Sequence, residues 1–143
     1  MTSAGAQQPA PRTINVVETE KGSTFGFIDT PPRIKNRRNA ILSPGDSFVF
    51  SSPLLDASQA RIGRLHVQCV ATTRGRQNRV EQLCTGVFKL RDGQISLTTV
   101  VTGDPDVVSG IVTGGDGAYA GARGTFQSQS TRTGANDTIT LLG

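Results

Sequence analysis

Apolar and polar residues alternate with period two along most of this chain, and no segment longer than two helical turns carries helical periodicity. Thr13 to Thr19 (TINVVET) is the first such run, and Thr24 to Ile28 continues or follows it. Asp46 to Ser52 (DSFVFSS) predicts another strand, with Pro53 expected to end its pairing because proline donates no backbone hydrogen. Ile62 to Thr72 and Arg79 to Leu90 are extended runs separated by residues 73–78, the pattern of a β-hairpin. Asp92-Gly93 is a tight-turn dipeptide, so Gln94 to Val101 follows as an antiparallel strand. Val107 to Thr113, Gly124 to Ser130 and Thr138 to Leu142 complete the series.

Between the last three runs lies Gly114 to Phe126, GGDGAYAGARGTF, in which five glycines imply a tight reversal. Tyr119 is the one aromatic side chain between its first and last glycines. Seven or eight strands joined mostly by short turns make the chain all-β with no long helix, and leave two architectures open, a sandwich or an up-and-down barrel. A barrel of about eight strands can hold side chains or one small ligand.

Composition narrows the reading. At 143 residues the chain is one domain, with an Ala/Gln/Pro/Ser-rich tail over 1–12 and the β domain over 13–143. The tail is expected to be loosely attached and could cover an opening as a lid. No run approaches the roughly 18 apolar residues of a membrane span. The N-terminus also lacks the apolar stretch of a secretory signal. A cytoplasmic protein with no membrane contact is the expectation. The formal charge of +4 is concentrated in Arg33, Lys35, Arg37 and Arg38, a cluster read as a solvated loop. Regularly spaced stacking aromatics are missing around it, so nucleic acid is not an expected partner. One His and two Cys without local spacing build no metal site, and no cofactor fingerprint is present.

The two cysteines are related by the hairpin. A turn centred between Arg76 and Gln77 places Cys69 opposite Cys84, where they could form a disulfide. A cytoplasmic chain is expected to keep them as buried thiols.

With this strand order, the sequence from about Gly45 to Gly143 resembles the allene oxide cyclase and dirigent barrel superfamily. Gly45-Asp46 followed by Phe50 resembles its GD..PF strand, and Arg61-Ile62-Gly63 leading to Cys69-Val70 resembles its RVG.....CV strand. Arg79-Val80-Glu81 and Gly93-Gln94-Ile95-Ser96 continue in register, and Val112 to Gly117 with Gly121-Ala122 is similar to its VTGG.G....GA turn. The resemblance implies an eight-stranded antiparallel up-and-down barrel, often assembled as an oligomer, here expected as a homodimer or homotrimer. It also implies an interior with Glu18, or one alternation on Glu20, as a carboxylate, Ser52 in place of a polar asparagine, and Cys69. Val80 and Val101 stand where the plant cyclases carry aromatic side chains, so bacterial natural-product cyclases are the better analogy.

Strand alternation then supplies the rest of the lumen. With Cys69 inward, Leu65 and Val67 face in and His66 faces out; with Val80 inward, so do Gln82, Cys84 and Phe88. Phe48 and Phe50 are further wall candidates, and Tyr119 could reach a ligand at the barrel mouth or simply seal the glycine turn. The expected function is a cofactor-independent cyclase or isomerase. A hydrophobic polyketide-like or polyene intermediate would be confined for ring closure, possibly a [4+2] cycloaddition, with Glu18 or Glu20 as the proton-handling group. The alternatives are a non-catalytic dirigent-type binding barrel and a structural oligomer with a filled interior.

Overall fold

A computed structural model describes residues 11–142. Eight long strands build the barrel. They are β1 (Arg12–Thr19), β4 (Ser47–Leu55), β5 (Arg61–Ala71), β7 (Glu81–Leu90), β8 (Gly93–Thr102), β9 (Val107–Gly115), β10 (Gly124–Thr131) and β11 (Gly134–Leu141). Three shorter strands, β2 (Thr24–Ile28), β3 (Ile41–Leu42) and β6 (Gly75–Arg76), decorate it. All main-sheet pairings are antiparallel, in the order β1-β11-β10-β9-β8-β7-β5-β4. Pairing of β1 with β4 through Val17↔Leu55 and Glu18↔Leu54 closes the ring. The eight-stranded antiparallel barrel is therefore the architecture, and the sandwich is excluded. The tail over 1–12 lies outside the described residues except for its last two positions, and Arg12 already begins β1.

The interior has two ends of different character. At one end Val16, Leu54, Leu65, Phe88, Ile95, Leu97, Val112, Phe126 and Ile139 form the apolar core, closed over by Tyr119. Tyr119 sits in a single 3-10 turn, Gly117–Tyr119, and Arg12 lies over its ring at 5.3 Å. Gly117 takes φ 56°, a conformation that favours glycine, so the glycine-rich reversal is a barrel corner. Gly110 has a different reason. A Cβ there would meet the Phe126 ring at 2.4 Å, so its absence lets that ring cross β9.

At the opposite end the loops 20–23, 29–46, 72–80, 103–106 and 132–133 gather, by the register of the strands they join. Here β3 and β6 pair through Ile41↔Arg76 and Leu42↔Gly75, a ladder the alternation pattern does not predict because two-residue strands carry no period. Leu42 packs with Ala71 and Val80 beneath it.

Three expectations change. Pro53 does not end its strand: β4 runs on to Leu55, with Pro53 opposite Arg64. Its missing N–H costs little because β4's other neighbour changes here from β2 to β1. The intervening turn lies so close that a Cβ on Gly22 would meet Pro53 Cγ at 3.2 Å. The last strand begins at Gly134 rather than Thr138, since Ala135, Asp137 and Ile139 alternate inward despite the polar composition. Finally, Cys69 and Cys84 are not free thiols. They are directly opposed in the register and joined as a disulfide, with Cα atoms 4.1 Å apart, the short spacing of a facing pair.

The disulfide closes a loop of sequence separation 15, so the chain-entropy contribution is about 3 kcal/mol. Paired Cys69→Ala and Cys84→Ala substitutions should lower the unfolding free energy by about that much in urea titration. Thiol titration of the denatured, unreduced protein should find no free thiol, and a count of two would contradict the linkage.

Candidate active site in the barrel lumen

Inward alternation on β1, β11 and β10 brings three polar side chains together above the apolar core. Glu18 lies opposite Ala135, Asp137 opposite Val16, and Ser128 opposite Asp137, so Glu18 and Asp137 are diagonal neighbours on adjacent strands. Diagonal neighbours on one face lie within reach of long side chains. Glu18 is 9% exposed and Asp137 2%. Ser128 Oγ donates to Glu18 Oε2 at 3.4 Å. On the other flank Ser52 is diagonal to Glu18 across the β1–β4 seam, and Ser23 donates to its hydroxyl at 3.0 Å.

Two buried carboxyl groups cannot both ionise cheaply. Burial, then the hydrogen bond and the charge of Asp137, push the Glu18 carboxyl up to about 9 from its ordinary 4.5. Burial also pushes Asp137 upward. Both Asp137 oxygens are buried without a donor among the described residues. A proton on Glu18 provides one, and at neutral pH Glu18 is held in its acid form beside Asp137. It forms an O–H donor set in a largely apolar chamber.

The wall above the pair is aromatic. Four of the six phenylalanines, Phe25, Phe27, Phe48 and Phe50, share the inward side of β2 and β4 through the register Phe25↔Phe50 and Phe27↔Phe48. Phe25 stacks on Phe48 at 5.9 Å and Phe48 on Phe50 at 6.3 Å. Phe25 is 71% and Phe27 45% exposed, so this aromatic face meets solvent, whereas the Tyr119 end is packed shut. An open groove of about 680 Å³ crosses the outer face of β4, β5, β7 and β8, past Val49, His66, Thr85 and Thr98, and Phe25, Phe50 and Val67 also border it. His66 meets Ser51 there at 3.3 Å, outside the lumen. The groove holds no carboxyl group, and the proton-bearing pair lies on the other side of the wall.

Of the residues expected at the site, Glu18, Phe48, Phe50, Ser52, Val67, Val101 and the Cys69–Cys84 pair lie on the lumen side of their strands. Gln82 is lumen-facing and buried, between Ala71 and Val101, and is not bonded to either carboxyl group. Four of the expected residues lie away from the carboxyl pair. Glu20 is exposed in the turn between β1 and β2, because β1 ends at Thr19. Leu65 belongs to the sealed core, Val80 to the small cluster beneath β3, and Tyr119 closes the barrel end away from the aromatic opening. Phe25, Phe27, Ser128 and Asp137 were not expected. Asp137 was obscured by its sequence, GANDTIT, in which a buried acid looks like part of a polar turn.

No family model matches this chain, and no curated protein does. Solved structures match over nearly its whole length. A pyocyanin demethylase superposes with TM-score 0.74 at 17% identity, covering 91% of this chain and 99% of that one. An exo-specific intermolecular Diels–Alderase, AbnU, gives 0.67 at 16% identity, covering 94% and 100%. The pterocarpan synthase dirigent protein PsPTS1 gives 0.64 at 15%, covering 94% and 95%. The barrel fold is shared with these solved structures, which include both cyclases and dirigent proteins.

The raised Glu18 value has a thermodynamic signature. Between pH 4.5 and about 9 the folded state keeps a proton that the unfolded chain releases, so stability falls as pH rises through this window. The limiting slope is about 1.4 kcal/mol per pH unit. Urea midpoints should therefore drop from pH 5 to pH 8 in the native protein and drop much less in Glu18→Gln. Equal slopes would show that Glu18 is not protonated in the barrel.

Proposed function

We propose that this protein is a cofactor-independent cyclase or isomerase that binds a hydrophobic, polyketide-like or polyene intermediate in its lumen and promotes intramolecular ring closure. The observation that carries this reading is the buried Glu18–Asp137 pair beneath an accessible aromatic wall. Two desolvated carboxyl groups cost stability, and a filled structural barrel has no use that offsets this cost.

The chamber would act in two ways. Phe25, Phe27, Phe48, Phe50 and Val67 offer apolar surface against which a flexible chain folds, so that reacting carbons meet without a further entropic cost. Protonated Glu18 donates a hydrogen bond to a substrate carbonyl and draws electron density from the conjugated system, which lowers the barrier to a [4+2] closure. The buried Asp137 beside it keeps that carboxyl protonated. No net proton is consumed: Glu18 donates to the oxygen as charge develops and keeps its proton when the ring has formed. AbmU of Streptomyces koyangensis and the intermolecular enzyme AbnU, both Diels–Alderases on this fold, support the [4+2] part of the reading.

Incubation with linear polyenes bearing a conjugated carbonyl is the test, with cyclic product followed by chromatography against the rate in buffer. Glu18→Gln is expected to lower turnover about 100-fold, the loss of one well-placed donor, while Glu20→Gln leaves it unchanged. Activity should stay level with rising pH until Glu18 ionises near 9 and then fall. Tight polyene binding with no acceleration would remove the cyclase and leave a dirigent-type binding barrel.

A further inference from the structure

The net charge of the chain sits at one place in the fold. Loop 29–46 carries Arg33, Lys35, Arg37 and Arg38, and loop 72–80 carries Arg74, Arg76 and Arg79; all seven are exposed. The β3–β6 ladder ties the two loops together. Asp46 anchors the first loop by accepting from Thr30 N at 2.6 Å, Thr30 Oγ1 at 2.7 Å and Ser43 N at 2.8 Å. Asp29 accepts from Ile34 N at 3.0 Å. Two of the nearby carboxylates are thus occupied by the loop itself, and exposed Glu81 is the third. Removing the seven cations and these three carboxylates leaves equal numbers of the two signs in the rest of the chain. The other loops at this end bring Glu20, Asp104 and Asp106 with Lys21 and Arg132, so the basic collar occupies one side of it.

Inside, the polarity is reversed. The ionisable groups at the lumen's polar level are Glu18 and Asp137, and no cation stands beside them among the groups that shift them. An anionic group drawn to the floor would meet two buried carboxyl groups and no cation in a low-dielectric chamber. The part of a ligand that reaches Glu18 is therefore neutral, while the same barrel end presents seven cations to any part that stays outside. Ser47 of β4 stands at the collar end and Leu54 lies opposite Glu18. Their separation is about 23 Å along the strand at 3.3 Å per residue, or about 18 Å along an axis to which the strand is inclined by about 40°.

We propose that the lumen's substrate is presented on a phosphate-bearing tether: the neutral, reactive chain enters past the phenylalanines, and the phosphates rest on the basic collar formed by residues 33–38 and 74–79. The inference rests on the lumen being the substrate site. It assigns the substrate a class, a hydrophobic acyl chain on a long, neutral linker ending in phosphate. Such a phosphate could belong to a free nucleotide thioester or to a carrier-bound arm, and the two are separable by experiment.

One polyenoyl chain would be prepared as its coenzyme A thioester, its phosphopantetheine thioester and its uncharged N-acetylcysteamine thioester, and each titrated against the native protein by calorimetry. At 50 mM salt the phosphate-bearing forms should bind at least tenfold more tightly than the neutral form. The advantage should vanish at 0.5 M salt, where screening shortens to a few ångströms. It should also vanish when Arg33, Lys35, Arg37 and Arg38, or separately Arg74, Arg76 and Arg79, are changed to Gln, with the melting temperature recorded as the folding check. A larger gain for coenzyme A than for phosphopantetheine identifies a free nucleotide thioester; equal gains identify a single phosphate, as on a carrier arm. Equal binding of all three forms, or a gain that survives both charge-neutralised variants and high salt, overturns the collar while leaving the lumen reading standing. Binding of none overturns both.

Discussion

Closure of the sheet between β1 and β4 is the constraint on which the rest depends. Two register pairs, Val17↔Leu55 and Glu18↔Leu54, turn an open sheet with two edges into a ring with an inside. Only after that closure do the inward residues of β1, β11 and β10 face one another across enclosed space. The seam is short because β1 gives way to β2 after the turn at 20–23, and β4 spans both partners. Pro53 sits at that changeover, where a strand can tolerate a missing donor.

The ring is filled unequally, and this asymmetry creates a site. Large apolar side chains and Tyr119 seal one end, so the polar level of Glu18, Asp137, Ser128 and Ser52 rests on a dry floor. A dry floor raises the cost of charge, which is why the carboxyl pair keeps a proton that either acid would lose in water. The aromatic side of β2 and β4 stays exposed because β2 stands beyond the ring, paired only with β4.

The β5–β7 hairpin connects the chemistry of the wall to the charge at the rim. Its disulfide lies in the lumen side of the wall, and its loop carries three of the collar arginines. A disulfide persists most readily in an oxidising compartment, which bears against the expectation of reduced thiols. Among the described residues no helix is long and apolar enough to cross a membrane.

Local pattern determined much of this. Alternation and turn chemistry located all eight barrel strands, and the hairpin arithmetic placed Cys69 opposite Cys84, because strand period and loop length are short-range properties. The family resemblance, not the pattern, marked Glu18 as the carboxylate to watch, and it could not choose between Glu18 and Glu20. What only tertiary structure decided is which groups meet. Asp137 lies 119 positions from Glu18 and reads as a turn residue, Phe25 and Phe27 read as an isolated short strand, and the two basic loops read as unrelated. Their juxtaposition follows from long-range register and ring closure, and the burial that makes a carboxyl group hold its proton exists only once those contacts have formed.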